Sequence, residues 1–274
     1  MVELDGGDIT SIDGLISALR AASVDSNGGF RRLWFRGHAV FEWKLVPSLV
    51  RLVIKKHGVN VEPKFLANRE KYALRRFQQM ASAVLSNRVI QGEAEWLLLM
   101  QHYRMPTRLL DWTENPLVAL YFAVGERGHA DKDGALWVLN PLTLNKKVLK
   151  LEEDAEALVD MGDESIRSYM PTSFTAIPSD QNPVAVIAKR NDPRVIAQQG
   201  VFTIHASLLS LEEFLQAEEA NASPGSWTLK KHRIPSGSKE ALLEELKLLG
   251  VEEASLFPDL EHVAAFVKGE VEGL

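Results

Sequence analysis

The segment Pro116–Val124 carries no charged side chain, and as a helix it is apolar nearly all round. Such a helix is stable only when buried, so other elements must surround it. Thr113 or Asn115 can cap it, and Pro116 is acceptable in its first turn. Helical spacing also appears over 9–22, through Ile9, Ile12, Leu15, Ile16 and Leu19. The longest helical pattern covers 65–85, with Ala73, Phe77, Met80, Ala81 and Val84 as its apolar stripe. A further helix covers 93–103 and is ended by Pro106, because the residue before proline is pushed out of the α region. Two more close the chain, over 239–249 and 259–268.

Runs at 33–35, 135–139, 185–188, 201–205 and 227–233 read as strands. Asn27-Gly28-Gly29 breaks the chain, and 217–226 has the composition of a loop. No repeat or linker divides the sequence. The expected fold is a single α+β domain, with a helical layer from the N-terminal third packed on a mixed or antiparallel sheet built from the later strands.

Composition excludes several classes. The 274 residues include no cysteine, which removes disulfides, thiolate metal sites and cysteine nucleophiles. No run reaches the roughly 18 apolar residues of a membrane span. The first ten residues carry Glu3, Asp5 and Asp8 and lack the order of a signal peptide, so a cytoplasmic protein without membrane contact is expected. A net charge of -6 disfavours an extended phosphate-tracking surface. Local basic clusters remain at Arg31, Arg32, Arg36, Lys44 and Arg51, and at Arg69, Lys71, Arg75 and Arg76. The seven histidines show no metal-ligand spacing, and no metal is expected. P-loop, dinucleotide-fold and serine-hydrolase fingerprints are absent.

Two places can carry chemistry. Trp34-Phe35-Arg36-Gly37-His38 puts a guanidinium at the end of an apolar strand, where it can grip a phosphate or carboxylate through two N–H bonds. Gly37 permits a positive φ or close approach by a ligand. The same arginine equally suits a structural pair with a buried carboxylate. The second place is 101–113, where Gln101, His102, Tyr103, Arg104, Thr107, Arg108, Asp111 and Thr113 bridge two apolar helices. Arg108 and Asp111 are placed to pair with each other or with Arg36, and such a network can also be purely structural. His102 is the histidine best placed to act as acid, base or donor.

These motifs resemble the FRG domain. The resemblance rests on Trp34-Phe35-Arg36-Gly37, Gln101-His102-Tyr103, Pro106 through Thr113, and Ala119-Leu120-Tyr121-Phe122-Ala123. It continues with Gln198, Gly200 and Phe202 and ends at Leu256-Phe257-Pro258-Asp259-Leu260, spanning about Gly29 to Val267. It implies an N-terminal helix and lead-in over 1–28, packed as one unit with an FRG-type domain over 29–274. Arg104 departs from the family, which usually has glycine there.

The strand-ending arginine, the polar residue before a buried helix and the later amide resemble ADP-ribosyltransferases more loosely. That likeness implies an ADP-ribosyltransferase-like core with NAD as substrate, in a toxin or defence setting. It gives Arg36, Asp111, Gln198 and His102 catalytic roles. It makes Arg36, Gly37, Gln101, Tyr103, Thr107, Arg108, Thr113 and Tyr121 the NAD-binding residues, with Thr113 and Tyr121 on the nicotinamide side. Because Gln198 cannot ionise, Asp111 or Glu114 would supply a carboxylate. The acceptor would be a protein or a nucleic acid. The alternatives are a non-catalytic module binding a nucleotide or a protein and, further off, an enzyme acting on nucleic acid.

Overall fold

The computed structural model describes residues 2–24, 28–59, 61, 63–85, 89–152, 158–173, 182–190, 192–218 and 227–272. The first half runs β1 (Val2–Glu3), α1 (Ile12–Ser23), β2 (Trp34–His38), α2 (Ser48–His57), α3 (Pro63–Ala81), α4 (Gly92–His102), β3 (Leu109–Thr113) and α5 (Pro116–Val124). Next come β4 (Gly134–Leu139), α6 (Pro141–Val148), β5 (Val159–Asp160), β6 (Val184–Ile187), α7 (Pro193–Ala197) and β7 (Gly200–Ile204). The chain closes with α8 (Leu211–Ala217), β8 (Leu229–Ile234), α9 (Lys239–Leu248), α10 (Glu253–Leu256) and α11 (Leu260–Glu272). The loop expected over 217–226 lies outside the described residues from 219 onward. Among the described residues, no helix is long and apolar enough to cross a membrane.

The fold is α+β around one mixed sheet, ordered β1-β8-β4-β2-β3-β7-β6-β5. The two outermost pairs are parallel and the inner ones antiparallel. β2 pairs with β4 along its whole length, from Trp34 opposite Leu139 to His38 opposite Ala135. β3 pairs equally fully with β7, from Leu109 opposite Ile204 to Thr113 opposite Gly200. Between β2 and β3, however, only Phe35 and Thr113 face each other. The sheet therefore consists of two halves joined at one register position, and a gap opens beyond it.

Strand alternation sends successive side chains to opposite faces. Trp34, Trp137 and Leu139 join one core with Leu45, Leu97 and Ile204. Phe35, Leu136 and Val138 join another with Leu15, Leu120 and Leu242. Helices cover both faces, the helices of the N-terminal third being joined there by the later α5 and α9.

Helix α5 is buried as its composition requires. Of the two candidate caps, Asn115 takes the role, accepting from the Leu117 N–H at 3.0 Å, and the Thr113 hydroxyl accepts from the Asn115 N–H at 3.0 Å. The helix crosses β2 at Gly37, where a Cβ would sit 1.9 Å from the Ala119 carbonyl oxygen and 2.7 Å from the Ala123 nitrogen. Gly37 thus serves helix-on-sheet packing without the positive φ expected of it, and it also lines the cleft described below.

Helix α3 stops at Ala81, short of the expected 85, and turns a different stripe inward. Leu66, Ala67, Glu70 and Leu74 are buried, whereas Met80 and Val84 are exposed. The charged member of that stripe, Glu70, is fully buried beside Arg108.

Candidate functional site

The gap between the half-sheets continues into a cleft of about 1230 Å³, walled by β2, α2, α4, β3, α5, α7 and β7. Arg36 projects into it from β2. Its Nη1 donates to the Asp111 carbonyl at 2.5 Å, across the gap, and its Nε donates to His38 Nε2 at 3.0 Å. Burial lowers the Arg36 pKa, and the Asp111 carboxylate partly offsets this. His38 stays neutral because burial, then the Arg36 charge, pushes its pKa down to about 2. Its Nδ1 lies 3.2 Å from the Trp43 carbonyl and 3.2 Å from the Trp137 indole nitrogen.

Opposite Arg36, the Asp111 carboxylate accepts from Gln101 Nε2 at 2.7 Å. The Gln101 amide oxygen accepts in turn from the Thr107 hydroxyl, and the Thr107 N–H donates to Ser48 Oγ at 3.2 Å. This relay ties the carboxylate to α4 and α2. Gln198, at the end of α7, also lines the cleft. Its backbone carbonyl accepts from the Thr113 hydroxyl at 2.6 Å, and its Nε2 donates to the Leu256 carbonyl at 3.1 Å. His102 lines the cleft with Nδ1 3.3 Å from Asp192 Oδ2.

The structure thus brings Arg36, Gln101, His102, Asp111, Thr113 and Gln198 together. Thr107 stands behind them as a support. Three expected ligand residues lie elsewhere. Arg108 is fully buried, paired with Glu70 at 2.6 Å and donating to the His205 carbonyl at 3.1 Å and to the Tyr169 carbonyl. It pairs with neither Asp111 nor Arg36. Tyr103 is exposed and packs toward Phe77, outside the cleft. Tyr121 packs into the α5–α9 core, and its neighbour Phe122 takes the cleft position, since one helical residue turns the side chain by about 100°. Glu114, the other candidate carboxylate, pairs with Arg32 and Arg190 and is absent from the cleft wall.

The wall also holds Trp43 and Arg194, which the sequence did not single out, with Arg51 and Phe122, which it marked only as part of a basic cluster and of the α5 motif. Arg104 lines it too and has a left-handed backbone, φ 57. Glycine adopts that region without steric cost, so this backbone would suit glycine better than arginine.

His205, fully buried, is likewise held neutral, its pKa pushed down to about 3 by burial and then by Arg108. Both histidines bind their protons more tightly in the unfolded chain, so their stabilising contribution is full above the ordinary pKa near 6.5 and is lost as pH falls. The pair should lower the unfolding free energy by about 2 kcal/mol between pH 7 and 5.5. Urea unfolding at the two pH values measures this, and His205→Gln should remove part of the difference.

A family model described as the FRG domain matches residues 31–132, a stretch running from just before β2 to just before β4. That match supports the FRG family for this part of the chain, which holds Arg36, Gln101, Asp111 and α5. It is narrower than the 29–267 that the motifs suggested and ends before Gln198 and Arg194. No curated protein and no solved structure matches the chain, and the ADP-ribosyltransferase likeness has no support from the comparisons.

Proposed function

We propose that the cleft binds a nucleotide through its diphosphate, that this nucleotide is NAD, and that the domain acts as an ADP-ribosyltransferase-like enzyme. The observation carrying this reading is the state of Arg36. An arginine has five N–H donors. One of them holds Arg36 across the gap to Asp111, a second binds His38 on the same strand, and the remaining three have no protein partner among the described residues. Arg51 stands on the same side of the cleft and adds a second positive charge. A fixed, partly desolvated guanidinium of this kind suits a diphosphate.

On the ribose side stand the Asp111 carboxylate and the Gln198 amide oxygen, while Phe122 offers a ring where Tyr121 was expected. In the reaction the bond between ribose C1′ and the nicotinamide nitrogen breaks, and its electron pair leaves on nicotinamide. An acceptor oxygen or nitrogen bonds to C1′ and gives its proton to Asp111 and then to water. Charge develops on the ribose as in glycoside cleavage, so the nearby carboxylate stabilises it.

A second reading, a module that binds the nucleotide without turnover, draws on one specific observation. Gln198 cannot ionise, and its Nε2 is already engaged by the Leu256 carbonyl. Thermal-shift titration with NAD, ADP-ribose, nicotinamide and ATP, followed by an assay for labelled nicotinamide release with protein and nucleic-acid acceptors present, separates the two. Binding of NAD is expected to raise the melting temperature by mass action. Arg36→Ala should weaken NAD roughly 10–100-fold, the effect of charge-assisted hydrogen bonds. NAD binding without nicotinamide release leaves the binding module, and absence of any nucleotide shift rejects both readings.

A further inference from the structure

The cleft contains four arginines, Arg36, Arg51, Arg104 and Arg194. Among the described residues, none of the four has a carboxylate within ion-pairing distance, a state they share with surface arginines such as Arg20 and Arg75 but hold together inside one cavity. In a chain with net charge -6, four unpaired guanidiniums in one cavity are not explained by a general excess of positive charge. They fall into two sets. Arg36 and Arg51 come from β2 and α2. Arg104 and Arg194 come from the turn after α4 and from α7, and the charge of each bears on the other.

Arg194 is held in place by an aromatic support. Its Cζ lies 4.7 Å from the Phe257 ring centroid, and that ring packs edge-on against the cleft residue Phe122 at 6.1 Å and stacks on His262 at 4.7 Å. The nearby carboxylates are engaged elsewhere. Asp192 caps α7 and faces His102, Asp259 faces His262, and Asp111 is held by Gln101. Burial, then the like charge of Arg104, lowers the Arg194 pKa. The charges of Asp111, Asp192 and Asp259 act on Arg194 in the opposite sense, each more weakly than Arg104 does, and an anion held between the two guanidiniums relieves their repulsion directly.

We propose that Arg104 and Arg194 form a second anion subsite, which takes a phosphate monoester on the ribose of the bound nucleotide, distinct from the diphosphate held by Arg36 and Arg51. The inference rests on the nucleotide reading above. The cleft, at about 1230 Å³, exceeds the roughly 300–1,000 Å³ of ordinary small-molecule sites, so it has room for a group beyond the diphosphate. Phosphate is also the group for which paired guanidinium forks are best suited.

Calorimetric titration of the full chain with ADP-ribose, 2′-phospho-ADP-ribose and the 3′-phospho isomer tests the assignment. At least one of the monoesters is expected to bind about tenfold more tightly than ADP-ribose. Arg104→Gly and Arg194→Gln should each bring that ratio close to one. Arg36→Ala should weaken all three ligands in parallel and preserve the ratio. Melting temperatures of the variants confirm that they are folded, and Arg104→Gly removes a positive-φ side chain, so it suits the backbone there. Binding of ADP-ribose with a wild-type ratio of one overturns the subsite alone, as does a ratio that both variants leave intact. Failure of all three ligands to bind overturns the nucleotide reading and the subsite with it.

Discussion

Replacing Glu70 with alanine is expected to lower the unfolding free energy by about 3–5 kcal/mol, the cost of removing one partner from a buried ion pair. Both side chains of the Glu70–Arg108 pair are fully buried, and the carboxylate also accepts from the Arg108 N–H at 3.0 Å. The arginine spreads its other bonds over the carbonyls of His205 and Tyr169. It therefore joins α3, the start of β3, the end of β7 and the segment before β6 at one point. Without Glu70 the buried guanidinium loses the carboxylate it is paired with. Replacing both residues together, Glu70→Leu with Arg108→Met, should recover much of the loss, because an apolar pair of similar volume avoids desolvating either charge. Urea denaturation curves for the two variants provide the test, with midpoints compared at constant slope. A loss below about 1 kcal/mol in Glu70→Ala would show that water or another group reaches the arginine.

Gly37→Ala should cost about 3 kcal/mol, at the upper end for overpacking in a filled core. The obstacle to the new methyl group is the backbone of α5, 1.9 Å away at the Ala119 oxygen, and no rotamer change relieves a backbone contact. Either the helix moves out from the sheet or β2 bends. Since Phe122 lies on that helix and Arg36 on that strand, the cleft should change with the fold, and nucleotide binding should fall along with melting temperature. Gly128→Ala is the matched control: nothing lies within 4 Å of its added Cβ, so its effect should stay within about 0.5 kcal/mol. Equal melting temperatures for the two variants would contradict the close helix–sheet crossing.

How far the sequence reveals this molecule depends on the range of the interaction involved. Helix α5 is legible because an all-apolar face and an Asn-Pro start are properties of one short stretch. The strands around 135–139 and 201–205 are legible for a similar reason, being apolar runs bounded by glycine or polar residues. The meeting of Arg36 with Gln101, Asp111 and Gln198 follows from motifs that are each local, although their juxtaposition requires the sheet. Glu70 is different. Its place in the stripe Leu66, Ala67, Leu74 marks it as inward-facing, but nothing in the chain names Arg108 as its partner, 38 positions away. Without that partner, Arg108 reads as one more ligand donor beside Asp111. β3 was hidden because its central Asp111 interrupts the apolar run, and the pairing with β7 is what makes it a strand. Tyr121 and Phe122 show the limit of resolution in a helix that is apolar all round. With no polar face to fix the phase, the residue aimed at the cleft is decided by packing against α9 and β2.

The single register position between β2 and β3 has a mechanical meaning. Each half-sheet is a plate stiffened by its own continuous ladder, and the plates share a seam consisting of Phe35 opposite Thr113 and the Arg36 bond to the Asp111 carbonyl. The angle between the plates is set at this seam together with the core that spans both, in which Trp34 and Trp137 pack with Leu109 and Ile204. Arg36, to which the proposed function assigns the ligand's charge, is also one of the ties across the seam, so under that proposal occupancy of the cleft and the angle of the plates are coupled through one guanidinium.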